Sequence, residues 1–160
     1  MAPQPLLTSG LLWLIGSLLI GGLANRLPAS ALARDGLLTR PRPWGENTQG
    51  YERRLGIRRW KNRLPDAGDA LPGGVSKASL VSRDRQSLER LVAETRRAEL
   101  VHFALWPLWL ITLLWLPPAG VLINLLFATL FNLPCLWLQR YNRLRLQQLL
   151  SRLNQGRRGT

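Results

Sequence analysis

A histidine and a glutamate lie three residues apart where a charged stretch of the chain meets an uncharged one. His102 is the only histidine, and Glu99 directly precedes residues 100–139, which contain no Asp, Glu, Lys or Arg. Residues with this spacing share one face of a helix. A carboxylate beside an imidazole can orient the ring and raise its basicity. The spacing therefore predicts His102 as a general base and Glu99 as the residue that orients it.

Two other interpretations of this pair remain open. In the simpler one, His102 only forms a local hydrogen bond at the charge boundary. Glu-x-x-His is also half of a carboxylate-bridged di-iron motif, but that motif needs a second histidine, so no metal site is predicted. The single cysteine, Cys135, excludes an internal disulfide and a cysteine-based zinc site.

Further candidates for substrate binding surround the boundary. Arg96 and Arg97 lie on the water side of the same predicted helix, where they could bind an anionic group of a substrate. Asn142 and Arg143 follow the last uncharged run and could close the site from its other side. The remaining candidates are Trp60, Lys61 and Asp66 in the sequence WKNRLPD. An aspartate after a proline is also a common turn residue.

The charge of the whole chain narrows the possible partners. A net charge of +13 on 160 residues is typical of proteins that bind nucleic acid or an anionic membrane surface. A soluble nucleic-acid binder has no need for long uncharged apolar runs, and only the aromatic and arginine residues of 51–63 favour one. The same arginines fit a pantetheine diphosphate, and they fit lipid headgroups better still. We therefore expect anionic lipids as partners and no nucleic acid.

Three uncharged runs are long enough to cross a bilayer. They cover residues 6–24, 100–116 and 119–138. A helix of about 20 residues spans the hydrocarbon core. Pro117 and Pro118 separate the second run from the third, because two adjacent prolines cannot continue a helix. The sequence predicts an all-α membrane protein with three transmembrane helices, one N-terminal and two in a C-terminal hairpin.

The distribution of charge predicts the topology. Residues 26–99 contain 16 basic and nine acidic residues, and residues 140–158 contain six basic and no acidic ones. Basic segments favour the cytoplasm, so a multi-pass cell-membrane protein is expected, with the N-terminus outside and the C-terminus cytoplasmic. Cleavage of residues 1–31 as a signal peptide is the alternative. A retained helix is favoured, because the first residues lack positive charge.

The charged segments contain amphipathic patterns of their own. Residues 51–66 are predicted to form a short interfacial helix with snorkelling arginines. Residues 84–99 have helical spacing and run into the second apolar run without a break. Residues 140–155 have a leucine stripe flanked by arginines and predict an amphipathic tail helix. All these elements belong to a single integral membrane domain over residues 1–160.

Five short motifs in order resemble those of the glycosyl-4,4'-diaponeurosporenoate acyltransferase family. They are NRLP (25–28), RRWK (58–61), ETRRAELVH (94–102), NLP (132–134) and QRYNRLRL (139–146). The resemblance implies transfer of a fatty acyl group onto a sugar hydroxyl of a glycosylated carotenoid or similar glycolipid. It implies acyl-CoA or an acyl carrier protein as donor and no bound cofactor. Phe103 and Leu144 depart from the family pattern and leave the substrate open.

A second class of function is also compatible with the sequence. The chain could be a non-catalytic membrane subunit whose basic segments bind anionic lipid or a protein partner. The oligomeric state is not predicted by any feature of the sequence.

Overall fold

Three long helices form the framework of the protein. The computed structural model describes residues 3–42, 45–63 and 84–156, and every regular element within them is helical. The α-helices are α1 (Pro3–Asn25), α2 (Ala29–Leu32), α3 (Thr48–Leu55), α4 (Ile57–Trp60), α5 (Arg85–Leu105) and α6 (Pro118–Gly156). Two 3₁₀ helices, Lys61–Arg63 and Trp106–Leu114, continue α4 and α5.

The three long helices match the predicted spans. α1, α5 with its 3₁₀ continuation, and α6 are each long and apolar enough to cross a membrane. Large apolar side chains on α1 and α6 are exposed, among them Leu18 at 63% and Leu130 at 70%. Bands of this size on a monomer indicate contact with lipid or with another protein. The prediction of an all-α fold with three membrane-capable helices is confirmed.

α6 is longer than the sequence pattern suggested. It contains 39 residues and passes without interruption through the predicted boundary between residues 138 and 140. At 1.5 Å per residue its length is about 58 Å, roughly twice the hydrocarbon thickness. The predicted third span and the predicted tail are therefore one helix.

α1 runs antiparallel to α5 and parallel to α6. At its middle, Trp13 donates a hydrogen bond to Asn124, in the N-terminal part of α6, at 2.9 Å. At its end, the carbonyl of Ala24 accepts a hydrogen bond from Arg97 of α5 at 2.7 Å. The N-terminal end of α1 thus lies at the same end of the bundle as the Pro117–Pro118 turn, and the charged segments lie at the other end.

The segment predicted as an interfacial helix differs in the structure. Gly56 adopts a left-handed conformation, with φ of 55°, and ends α3 before α4 begins. A non-glycine residue would be strained there. Apolar side chains of the segment pack on α6. This small core consists of Ile57, Leu138 and Tyr141, with Tyr51 and Trp60 against it. The single helix predicted over 51–66 is therefore divided at Gly56, and residues 64–66 of that prediction lie outside the described residues.

Candidate active site at the charge boundary

A buried carboxylate joins the two helices of the hairpin at the charge boundary. The side chain of Glu99 is fully buried, and its two oxygens accept hydrogen bonds from Arg140 and Arg143 of α6. Both arginine side chains are also buried, at 5% and 2% exposure. A buried charge is tolerated when it is paired and its hydrogen-bonding atoms are satisfied. Glu99 meets this condition through α6.

The loop between α2 and α3 completes this cluster. Arg140 also binds the Glu46 carboxylate at 3.1 Å and the Leu38 carbonyl at 2.7 Å. Arg143 donates to the Thr39 carbonyl, and its Nε lies 3.9 Å from Asp35. The interactions draw residues 35–39 and Glu46 onto α5 and α6 at the level of Glu99. With the ion pair between Arg96 and Asp35, they connect this loop to both hairpin helices.

A cleft of about 500 Å³ opens beside the cluster, between α3 and the hairpin. The side that the loop and α3 contribute is mainly polar, with Arg42, Glu46, Asn47, Tyr51 and Arg54 beside Leu55. The side that the hairpin contributes is mainly apolar, with Phe103, Leu133, Leu136 and Trp137 beside Arg140. A cleft with walls of such different polarity is suited to an amphiphilic ligand, with its head toward the arginines and its chain along the apolar wall.

Glu46 and Tyr51 interact within this cleft. The Tyr51 hydroxyl donates a hydrogen bond to Glu46. Burial alone would raise the pKa of Glu46, but the hydrogen bonds from Tyr51 and the Arg42 backbone, with the charge of Arg140, lower it. Burial and the neighbouring carboxylate raise the pKa of Tyr51. Glu46 is therefore held as an anion and Tyr51 as a neutral hydroxyl near neutral pH.

His102 contacts Asn132 of α6 and is not paired with Glu99. Its Nδ1 lies 3.0 Å from the Asn132 side-chain oxygen, whereas the hydrogen bonds of Glu99 go to the two arginines. The predicted orienting contact is thus made by a different residue. His102 does not line the cleft, although the next residue, Phe103, does.

Arg96 and Arg97 are engaged in holding the fold together. Arg96 is buried and binds Asp35 at 2.7 Å and the Leu32 carbonyl at 2.9 Å. Arg97 binds Glu94 at 3.1 Å in addition to the carbonyl at the end of α1. Their side chains tie α1, α2 and the following loop to α5, so the geometry does not bring them to the cleft.

The other candidates are distributed around α6. Trp60 donates to the Leu55 carbonyl at 2.9 Å, and the Lys61 ammonium lies 5.7 Å from the centre of the Tyr141 ring. Arg143 belongs to the buried cluster, and its neighbour Asn142 is half-buried. The remaining candidate, Asp66, lies outside the described residues.

The sequence interpretation missed Asn132, Arg140 and Glu46 as parts of this region. A signal for Arg140 was present, because it is the first charged residue after the last uncharged run. Glu99 is the last charged residue before the uncharged residues 100–139. Because α5 and α6 form an antiparallel hairpin, Glu99 and Arg140 lie at the same height in the bundle. Glu46 had no comparable signal, since its partner is about a hundred residues away in the chain.

Comparison with known proteins identifies the family. The family model described as glycosyl-4,4'-diaponeurosporenoate acyltransferase matches residues 35–152. Proteins of that name from Staphylococcus aureus strains USA300 and NCTC 8325 are each 28% identical to this chain over 139 residues, which is 86% of this chain and 83% of theirs. The protein from strain Newman is 27% identical over the same length. No solved structure matches the chain.

The matched region covers most of the chain and includes the buried cluster, the cleft and His102. The chain therefore belongs to the glycosyl-4,4'-diaponeurosporenoate acyltransferase family and is an acyltransferase.

Proposed function

We propose that this enzyme esterifies a fatty acyl group onto a sugar hydroxyl of a glycosylated carotenoid or similar glycolipid within the cell membrane. The name of the relatives supplies the acceptor class. The observation that carries the proposal is the cleft at the charge boundary, because its polar and apolar walls fit substrates that have both a polar head and a long chain. The acyl donor and the glycosylated acceptor of this reaction each have a polar head and a long chain.

The cleft offers a place for the acyl donor, acyl-CoA or an acyl carrier protein. The phosphates of the donor's pantetheine arm would lie near Arg42 and Arg54, and the acyl chain would follow Leu133 and Trp137. Guanidinium groups suit phosphate because they donate two parallel hydrogen bonds. We assign the phosphates to Arg42 and Arg54 and not to Arg96 and Arg97, because Arg96 and Arg97 do not line the cleft.

His102 is proposed as the general base; it does not line the cleft itself, and the acyl carbonyl would reach it past its neighbour Phe103, which does. Its Nε2 would take the proton of the sugar hydroxyl while the hydroxyl oxygen attacks the thioester carbonyl. The carbon–sulfur bond then breaks, and the leaving thiolate receives the proton from the imidazolium. The acceptor would approach from the membrane side. Glu99 is proposed to act indirectly, by holding Arg140 and Arg143 and so fixing α6 against α5.

The orientation in the membrane follows from the charges. We propose that the segments at the charged end of the bundle face the cytoplasm, where acyl thioesters are made, and that the N-terminus and the Pro117–Pro118 turn face outside. The N-terminal end of α1 and the Pro117–Pro118 turn lie at the same end of the bundle, which supports this arrangement. Lys and Arg residues near the membrane surface would also attract anionic lipids, at about 1 kcal/mol each.

Pigment profiling of cells that make the glycosylated carotenoid tests the proposal. Cells that express the protein should accumulate the acylated glycoside, and cells that express His102→Ala should accumulate its unacylated precursor instead. Loss of a positioned base lowers the rate by roughly 10²–10⁴-fold. Glu89→Gln, an exposed position on α5 that pairs with Arg85, is the control and should retain the product. Full acylation by His102→Ala would remove His102 from the mechanism, and no acylated product from the unchanged protein would refute the substrate class.

A further inference from the structure

Asn132 holds the imidazole of His102 in one defined hydrogen-bonding arrangement. The side-chain nitrogen of Asn132 donates to the carbonyl of Ala128 at 2.8 Å, four residues earlier in α6. Its side-chain oxygen therefore faces His102 Nδ1, at 3.0 Å. An amide oxygen can only accept a hydrogen bond. The nitrogen that faces it must then carry the proton.

A second asparagine on the same helix has the same geometry with an unambiguous partner. The side-chain nitrogen of Asn124 donates to the carbonyl of Gly120 at 3.0 Å, and its oxygen accepts from Trp13 Nε1 at 2.9 Å. The indole nitrogen can only donate, so the orientation of the Asn124 amide is fixed by chemistry. Asn132 repeats this arrangement two turns later, with His102 Nδ1 in the place of the indole N–H.

We propose that Asn132 is a positioning residue that keeps neutral His102 in the Nδ1–H tautomer. The lone pair then lies on Nε2, the nitrogen that accepts the hydroxyl proton in the mechanism above, so this inference rests on the proposed function. The hydrogen bond that one imidazole nitrogen makes decides which of the two nitrogens carries the proton. Asn132 thus performs the task that the sequence had suggested for Glu99.

An amide suits this position better than a carboxylate. His102 lies on the apolar side of the boundary, where an added charge would be costly unless it were paired. The Asn132 side chain is buried, at 4% exposure, and carries no charge. The carboxylate of the site lies one helical turn away, where two arginines neutralise it. The ring is oriented without a buried ion pair of its own.

Nitrogen-15 NMR can test the proposal directly, because His102 is the only histidine. The full-length protein, labelled with ¹⁵N-histidine and held in lipid nanodiscs at a pH where the ring is neutral, should give one imidazole with Nδ1 protonated and Nε2 not. Asn132→Leu should shift the spectrum toward the Nε2–H tautomer. Asn124→Leu is the matched control and should leave the tautomer unchanged. Protonated Nε2 in the unchanged protein, or an unchanged tautomer in Asn132→Leu, would overturn the proposal.

Enzyme kinetics provide the second readout. Asn132→Leu should lower kcat on the order of 10–100-fold, by analogy with other residues that orient a functional histidine, with little change in KM. Asn124→Leu, the matched control on the same helix, should leave kcat unchanged, which separates orientation of His102 from general damage to the fold. If His102→Ala remained fully active, His102 would not be the general base. The NMR result would still test, independently, whether Asn132 sets the tautomer. Equal kcat for Asn132→Leu and the unchanged protein would remove Asn132 from catalysis.

Discussion

The two ends of the helix bundle are held together by different kinds of contact. Toward the Pro117–Pro118 turn, the helices are joined by neutral hydrogen bonds, such as that from Trp13 to Asn124 and that from Trp106 to Thr129 at 3.2 Å. At the other end, charged groups surround Glu99 and draw the following loop onto the hairpin. The change from one kind to the other occurs within a single helical turn of α5, between Glu99 and His102.

This difference follows from the surroundings of each end. Lipid offers no water to an unpaired charge, so the spans use neutral pairs that can satisfy each other. Near water, long arginine side chains can reach several acceptors at once, and the buried cluster becomes possible. The proposed active site lies between the charged cluster and the neutral contacts of the spans, since a thioester from the water phase and a hydroxyl in the lipid phase must both reach it.

The largest effect on stability is expected at the centre of the charged end. Glu99→Ala would leave Arg140 and Arg143 buried without their shared partner. Removal of one member of a buried ion pair costs about 3–5 kcal/mol. The free energy of unfolding, measured by detergent denaturation of the purified protein, should fall by this amount. Glu89→Gln, which loses only an exposed pair, should change it by less than about 1 kcal/mol. Equal stability of the two variants would contradict a structural role for the cluster.

A smaller effect is expected from acid at the rim of the same cluster. The hydrogen bonds and the charge that surround Glu46 hold its pKa below its ordinary value of 4.5. A carboxylate with a lowered pKa in the folded state contributes stability that is present above pH 4.5 and is lost as the pH falls through the folded value. Thermal unfolding between pH 6 and pH 3 should therefore become easier with acid, and Glu46→Gln should reduce this dependence. An identical pH dependence in the variant would show that Glu46 does not contribute.

The same division explains which features could be predicted from sequence. The three membrane-capable helices and the hairpin follow from the absence of charge in long runs and from the proline pair, which are local signals. The partners of Glu99 were not local. Spacing alone favours His102, three residues away, but Arg140 and Arg143 reach the carboxylate from α6 and satisfy a buried charge that a neutral imidazole could not.

The segment over 51–63 illustrates the same limit. Its apolar and basic residues are compatible with a helix at a lipid surface, and nothing in the segment itself identifies α6 as the alternative. The break at Gly56 is a local signal, because a glycine in the left-handed conformation commonly ends a helix, but the packing of Ile57 on Tyr141 depends on a residue far along the chain. Long-range partners of this kind decide which face a short amphipathic segment buries.

The smallest effect is expected at the neutral end, from the contact between Trp13 and Asn124. A double-mutant cycle of Trp13→Phe and Asn124→Leu should give a coupling energy of about 0.6 kcal/mol, and no more than about 1.7 kcal/mol, as found for hydrogen bonds between membrane helices. The value is small because each group finds other partners when the helices separate. The cycle uses the same detergent denaturation as Glu99→Ala. A coupling energy as large as the loss from Glu99→Ala would mean that the neutral contacts, and not the charged cluster, dominate the association of the helices.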